Sequence, residues 1–488
     1  MDKFNPARFA SVALGATLIV SGAFAQTQRP TRGAAEGRSP GSDAAITVID
    51  GATLIDGNGG VPLKNSVVVI DGSRIRAVGA KGSVSYPVGA TVIHADGLTA
   101  LPGLIDAHIH SLNFFPPLFL HFGITTVYDT ANPTEWVIAQ REALKTGRIK
   151  GPRMFVTGVV IDGPDDSEDR RDAYRVHVRT PDEARMTARR LLSQRVDALK
   201  VYQHLTPDLL KPIVEEAHKA GTEAVGHSRD AREAVLAGLK FIEHATPIAH
   251  ATLSDPAKIK AMDQNSLRTP EAEMNPALFS PLIDLMVRNG VYFNPTLTRA
   301  WIDALPKRER WLKEAADLIQ SPAYRFIPAA RREFWLRTAR VESKADSRTI
   351  EAVKKLQEFT RRYAQAGGRI ITGPDSGPSS GPANLAGLAM HVEMEALVDA
   401  GLTPMQAIQA STKWAAELLH KNKDLGTIAP GRIADIILID GDPVADIRAT
   451  RKIRTVIMDG KTVDTTLDPN FKNPIQRPIA EYDMDKTP

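Results

Sequence analysis

Five short apolar runs each carry a residue of metal-binding type at or near their end, and together they constrain this chain more than any other feature. The first is residues 101–110, LPGLIDAHIH, which delivers His108 and His110 to one spot. Side chains two apart on a strand share a face, so both rings can bind one divalent ion. The others are 197–202 (DALKVY), 223–228 (EAVGHS), 241–245 (FIEHA) and 369–375 (RIITGPD), supplying Lys200, His227, His244 and Asp375. Between runs lie stretches of helical period, such as 207–220 with Leu209, Leu210, Ile213, Val214 and Ala217. Strand alternating with helix predicts a parallel sheet with covered faces, and a long series of such units predicts a closed barrel whose strand ends meet at one mouth.

Strands are expected near 102–108, 124–129, 153–157, 198–202, 223–227, 241–244, 291–297 and 369–373. The intervals 246–290 and 299–368 exceed ordinary connections, and long loops at a barrel mouth shape or cover its site. Upstream, 46–50, 66–71, 74–78 and 91–94 are short β-branched runs with Asp71-Gly72 and Asp96-Gly97 as turns. The same texture returns at 434–440 and 452–459. Neither end has strands enough for a core of its own. One small β-sandwich built from both chain ends, clasping the barrel, is therefore expected. The boundaries are 45–99 and 424–470 for the sandwich, 100–423 for the barrel and 471–488 for a tail.

The residues resemble the amidohydrolase superfamily of metal-dependent hydrolases. His-x-His after Gly-Leu-Ile-Asp, then Lys200, His227, Glu243-His244 and a late Asp375 look like its prolidase-like branch, related to Xaa-Pro dipeptidases and imidazolonepropionases. The likeness runs from about Ala45 to about Val463. It implies a TIM-like (β/α)8 barrel, of the α/β class, beside a small β-sandwich, with two divalent metals at the mouth. Zinc is the expected ion, although imidazole and carboxylate also accept manganese and cobalt. His108, His110 and Asp375 would hold one ion and His227 and His244 the other. Lys200 would bridge both after reacting with carbon dioxide to form a carbamate, since an ammonium would repel the metals. Water bound there ionises near neutral pH, and Asp375 would act as the acid–base group. Prolidase-like members tend to carry a Tyr shortly after the fifth-strand His. This chain has His227-Ser-Arg-Asp230 instead, so that substrate contact does not carry over.

Three residues are candidates for substrate contact. Tyr202 lies two after Lys200, on the same strand face, and His250 follows the sixth strand. Arg229 either grips a substrate carboxylate or begins the next helix, pairing with Asp230 or Glu233. Asp106 is expected to support His108, whereas Glu243 is expected to face away from His244, towards a neighbour or an outer helix. His121, His204, His218, His391 and His420 lack motif context and default to surface or helix packing.

Residues 1–25 read as a secretory signal: Lys3 and Arg8, an apolar stretch, then Ala23-Phe-Ala25 before Gln26. Residues 26–44 read as a flexible leader. The expected compartment is periplasmic or secreted, without stable membrane association after cleavage. The chain has no Cys, which excludes disulfides and thiolate ligands. A formal charge of +4 over 488 residues, with no basic block, gives no nucleic-acid footprint. A small-molecule substrate is expected, and a homo-oligomer is compatible with the sequence. The expectation is an exported binuclear amidohydrolase cleaving an amide or peptide C–N bond, of a dipeptide or N-acyl amino acid. The alternative is an ester, lactone, carbamate or organophosphate hydrolase with the same metals.

Overall fold

The two ends of the chain meet in one sheet. In the computed structural model, which describes residues 46–164, 174–255, 257–258, 269–343 and 345–478, β1 (Ile46–Leu54), β2 (Leu63–Asp71), β3 (Arg74–Ala80), β4 (Thr91–His94) and β5 (Leu98–Pro102) come from the first end. The signal and leader expected over 1–44 lie outside the described residues. The eight-stranded sheet runs β18-β17-β16-β5-β1-β2-β3, with β4 also beside β1. Its late members are β16 (Ile436–Asp440), β17 (Ile453–Met458) and β18 (Lys461–Val463). The seam is the antiparallel pair β5–β16, where Ala100 faces Leu438. Strand alternation gives each face its own apolar cluster: Ile49, Val68, Ile70, Ile436 and Leu438 on one, Val48, Val67 and Val69 on the other. The pairing thus gives a single sheet from both ends, and two stacked layers go beyond it. Because β5 extends to Pro102, the chain crosses to the next sheet at Gly103. A Cβ there would lie 2.2 Å from Thr125 Oγ1, so only glycine allows the crossing.

All other strands pair in parallel. β6 (Leu104–Ile109), β7 (Ile124–Asp129) and β8 (Arg153–Val156) form one sheet. The second has the order β10-β9-β11-β12-β13-β14-β15. It comprises β9 (Val160–Asp162), β10 (Arg175–His177), β11 (Leu199–Val201), β12 (Ala224–Gly226), β13 (Phe241–Glu243), β14 (Tyr292–Asn294) and β15 (Arg369–Ile370). The eight expected strands coincide with β6–β8 and β11–β15, while β9 and β10 were not expected. Backbone bonds join the two sheets along both margins. Asp197 N donates to Val156 O (2.7 Å), Ala107 N to Thr372 O (3.2 Å) and Asp375 N to His108 O (3.0 Å).

Side chains on these eight strands, or on the residue next to them, share one buried cluster: Ile105, Tyr128, Phe155, Ala198 just before β11, Val225, Phe241, Tyr292 and Ile371 just after β15. Alternate residues such as Leu199, Ile242 and Phe293 pack outward with the helices. The period of two thus sorts each strand between interior and helix layer.

The long stretch after β14 folds into the helices Arg308–Gln320, Ala329–Ala339 and Ser347–Gln365. The middle one braces the loop beyond Asp375, because Trp335 Nε1 donates to Ser380 O (2.7 Å) and Arg331 to Pro378 O. Within the expected tail, residues 475 and 477 are tied down: Gln140 donates to Ile475 O (2.7 Å) and Arg477 Nε to Asn132 Oδ1 (2.7 Å). His391 is buried rather than superficial, bonded to Thr450 Oγ1 and Phe122 O (both 2.9 Å), and burial lowers its pKa to about 3. Among the described residues no helix is long and apolar enough to cross a membrane.

Candidate metal centre

The six residues singled out from the sequence gather at the C-terminal ends of the parallel strands. His108 and His110 end β6, but the strand carries a register shift between Asp106 and Ile109, so simple alternation does not place them. Asp106 takes up the slack by accepting from its neighbour's backbone, His108 N (3.2 Å). Asp129 Oδ2 fixes the following loop, accepting from Ser111 N (2.7 Å) and Asn132 Nδ2 (2.8 Å). Asp375, in the left-handed region at φ 57°, brings Oδ1 to 3.0 Å from His110 Nε2 and 3.6 Å from His108 Nε2.

His227 follows β12. Its ring stacks on Tyr202 at 4.2 Å and meets the His244 ring edge-on at 4.3 Å. The His244 ring lies 5.2 Å from that of His108. Lys200, on β11, is 1% exposed, and its ammonium touches the carboxylate of Glu243, which is 0% exposed.

Glu243 corrects the sequence reading. It lies inside, with Oε1 3.6 Å from His108 Nδ1 and Oε2 3.8 Å from His227 Nε2. The expectation assumed that alternation continues through His244. Instead His244 sits at φ 66°, which breaks the pleat and turns both residues towards the centre. Two donor groups result: His108, His110 and Asp375, and His108, Glu243 and His244, each with ligand atoms within 4.8 Å of one another.

The donor set fits divalent cations. His108 Nε2 and Glu243 Oε1 are buried without a hydrogen-bond partner, which is costly unless a cation satisfies them. Both nitrogens of His110 face oxygens, Asp375 Oδ1 and, at 3.3 Å, Ala131 O. Burial, then the Lys200 charge, holds His108 well below its usual pKa; burial, then His244 and Lys200, does so for His227. His244 is lowered to about 4, by burial first. These rings therefore keep lone pairs for a metal. Burial alone would raise Asp375, but its hydrogen bond from His110 and the charges of His110, His244 and Arg299 bring it to about 2. Burial raises Glu243 despite Lys200.

Above the cluster opens a cleft of about 760 Å³, walled by Tyr202, Arg229, His250, Arg299 and Trp301. The three substrate candidates thus all reach it. Asp230 caps the helix Ala231–Leu236, accepting from Arg232 N (2.7 Å) and Glu233 N (3.1 Å), so Arg229 precedes that helix rather than beginning it. Its carbonyl lies 2.6 Å from His250 Nδ1. Arg299, which the sequence reading missed, has Nε 3.4 Å from Asp375 Oδ2. Its only signal was its place just beyond the apolar run ending at Asn294. Of the histidines without motif context, His204 also lines the cleft, bonded to Asp162 (3.0 Å), while His218 and His420 share the carboxylate of Glu223 (2.9 and 3.0 Å).

Residues 119–463, well over half the chain, match the amidohydrolase family. The chain belongs to that family. Its members give the chain a plain classification as a hydrolytic enzyme. Among solved structures, phenylurea hydrolase B superposes with a TM-score of 0.65 at 23% identity, covering 88% of this chain and 98% of that one. A Xaa-Pro dipeptidase gives 0.62 at 22%, covering 86% and 100%. At such identities the likeness is one of fold. An N-acyl-D-aspartate deacylase from Alcaligenes xylosoxydans xylosoxydans is 40% identical over 85 residues, which is 16% of this chain and only 16% of that protein's length.

Proposed function

We propose that this amidohydrolase is an exported, binuclear metal-dependent enzyme that cleaves an amide or peptide C–N bond beside a free carboxylate, in a dipeptide or N-acyl amino acid. The convergence of His108, His110, Lys200, His227, His244 and Asp375 at the strand ends, with the last three lining the cleft, carries the reading. The two parallel sheets are read as one closed (β/α)8 barrel, supported by the bonds at both margins and by the eight inward side chains. The end sheet is read as the clasping sandwich.

Divalent ions, zinc in this reading, supply water activation and carbonyl polarisation when bound. His108, His110 and Asp375 would hold one and His227 and His244 the other, with a carbamate on Lys200 serving both. Asp375 accepts the proton of the attacking water at a carboxylate oxygen and returns it to the leaving amine. It is ionised in the resting site, ready for the first transfer. Tyr202 keeps the His227 ring in place by stacking. Arg229 offers the guanidinium that binds the substrate carboxylate, with His250 holding the backbone at that position.

Arg229→Ala should lower kcat/KM on free-carboxylate substrates roughly ten- to a hundredfold, the scale of a lost charge-assisted hydrogen bond. Methyl esters or amides of the same compounds should be far less affected. A panel of dipeptides, N-acyl amino acids and their neutral derivatives measures the difference. Equal loss on both sets would make Arg229 structural and turn the reading towards neutral esters, lactones or carbamates. For export, the mature chain should begin near Gln26. N-terminal sequencing after expression in a secreting host reads this directly, and an intact Met1 overturns it.

A further inference from the structure

The helix Leu388–Asp399 is buried on every side from Leu388 to Leu397, yet it carries a fully buried carboxylate at Glu393. A carboxylate in such a place survives only if donors surround it. Those donors come from one distant segment. Leu297 N donates to Oε1 (2.7 Å), and Thr298 N (2.9 Å) and Thr298 Oγ1 (2.6 Å) donate to Oε2. Burial still pushes the Glu393 carboxyl up, and the three donors oppose that shift.

The segment held this way touches the metal centre at two points. Thr296 sits at φ 47°, ψ 52°, left-handed backbone that a β-branched residue adopts only when its surroundings force it. Its hydroxyl donates to Pro295 O (2.8 Å) and stands 2.7 Å from His244 Nδ1. A hydroxyl has one hydrogen. With that hydrogen on Pro295, Thr296 Oγ1 must accept from His244 Nδ1–H, which leaves the Nε2 lone pair of His244 for a metal. Three residues on, the same short helix, Leu297–Trp301, brings Arg299 to Asp375.

We propose that Glu393 is a positioning residue of the metal centre: by fixing the backbone of residues 297–298 it holds Thr296 left-handed, and Thr296 sets the tautomer and orientation of His244. This rests on the reading of His244 as a metal ligand.

The test uses the purified full chain, titrated with zinc in competition with a chelator, beside nitrogen-15 NMR of its histidines without metal. Glu393→Gln has nearly the same shape but only one acceptor oxygen. It should weaken zinc binding ten- to a hundredfold, the usual scale for partners behind a ligand, and lower kcat with little change in KM. Its His244 should lose the pure Nδ1–H form. Thr296→Val should behave alike, Thr296→Ser should restore wild-type affinity, and the double variant Glu393→Gln/Thr296→Val should be little worse than either single one. Should Glu393→Gln fail to fold, Thr298→Val removes one donor only and should weaken zinc several-fold. Wild-type zinc affinity and His244 tautomer in Glu393→Gln, or in a folded Thr298→Val where the first fails, would overturn the proposal even if melting temperature falls. If the wild-type chain binds no zinc, the metal reading fails. The NMR comparison still tests the link from Glu393 to His244.

Discussion

Asp375→Asn should fold normally and lose at least about a hundredfold in turnover, the usual scale for removing a general acid–base group. The backbone tolerates the change, because Asp375 lies in left-handed space, where asparagine is among the few comfortable residues. An amide oxygen can still meet His110, 3.0 Å away. It cannot take up a proton, and it offers Arg299 no negative charge. Circular dichroism and melting temperature check the fold, metal analysis checks the site, and kcat reads the chemistry. Wild-type turnover with metal retained would mean that another residue moves the proton.

Much of this could be read from the sequence because barrel strands are local objects. A run such as Phe241-Ile-Glu-His announces its length, its apolar face and its ligand within a few residues, and the eight strands fell where such runs lie. The return of β-branched texture near residue 436 likewise anticipated the pairing of both chain ends. Strand ends were harder. Periodicity assigns faces only while the pleat continues, and at His244 and Asp375 positive φ angles reset it. Glu243 was misplaced for that reason. Long-range polar contacts left little trace: Glu393 meets Thr298 across 95 residues, and nothing near either residue specifies the other. The available hint was a carboxylate set among Met390, Val392, Met394 and Ala396. Arg299 was missed because its run ends in Asn-Pro-Thr, which reads as a turn rather than the start of a helix facing the cleft.

Lys200→Ala should lose both metal and activity, and acetate or propionate should restore part of each by standing in for a carbamate. The structure sharpens what this experiment decides, because the ammonium of Lys200 lies against Glu243. With Glu243 inside the site, two arrangements reach the same charge. Two divalent ions bring four positive charges, which a carbamate, Asp375 and Glu243 reduce to one. A single divalent ion with an unmodified, protonated Lys200 brings three, which Asp375 and Glu243 also reduce to one. Two ions beside an ammonium would leave three positive charges, which a buried site tolerates poorly. Charge balance therefore ties the number of metals to the state of Lys200. In the two-metal arrangement Lys200→Ala removes a shared ligand, so metal content collapses and a small carboxylate rescues it. In the one-metal arrangement the same change frees Glu243, which lies within reach of His108 and His244 as a ligand. One ion should then stay and acetate should add nothing. Metal analysis of wild type and variant, with and without acetate, separates the two. Full activity of Lys200→Ala without any additive would end the bridging role.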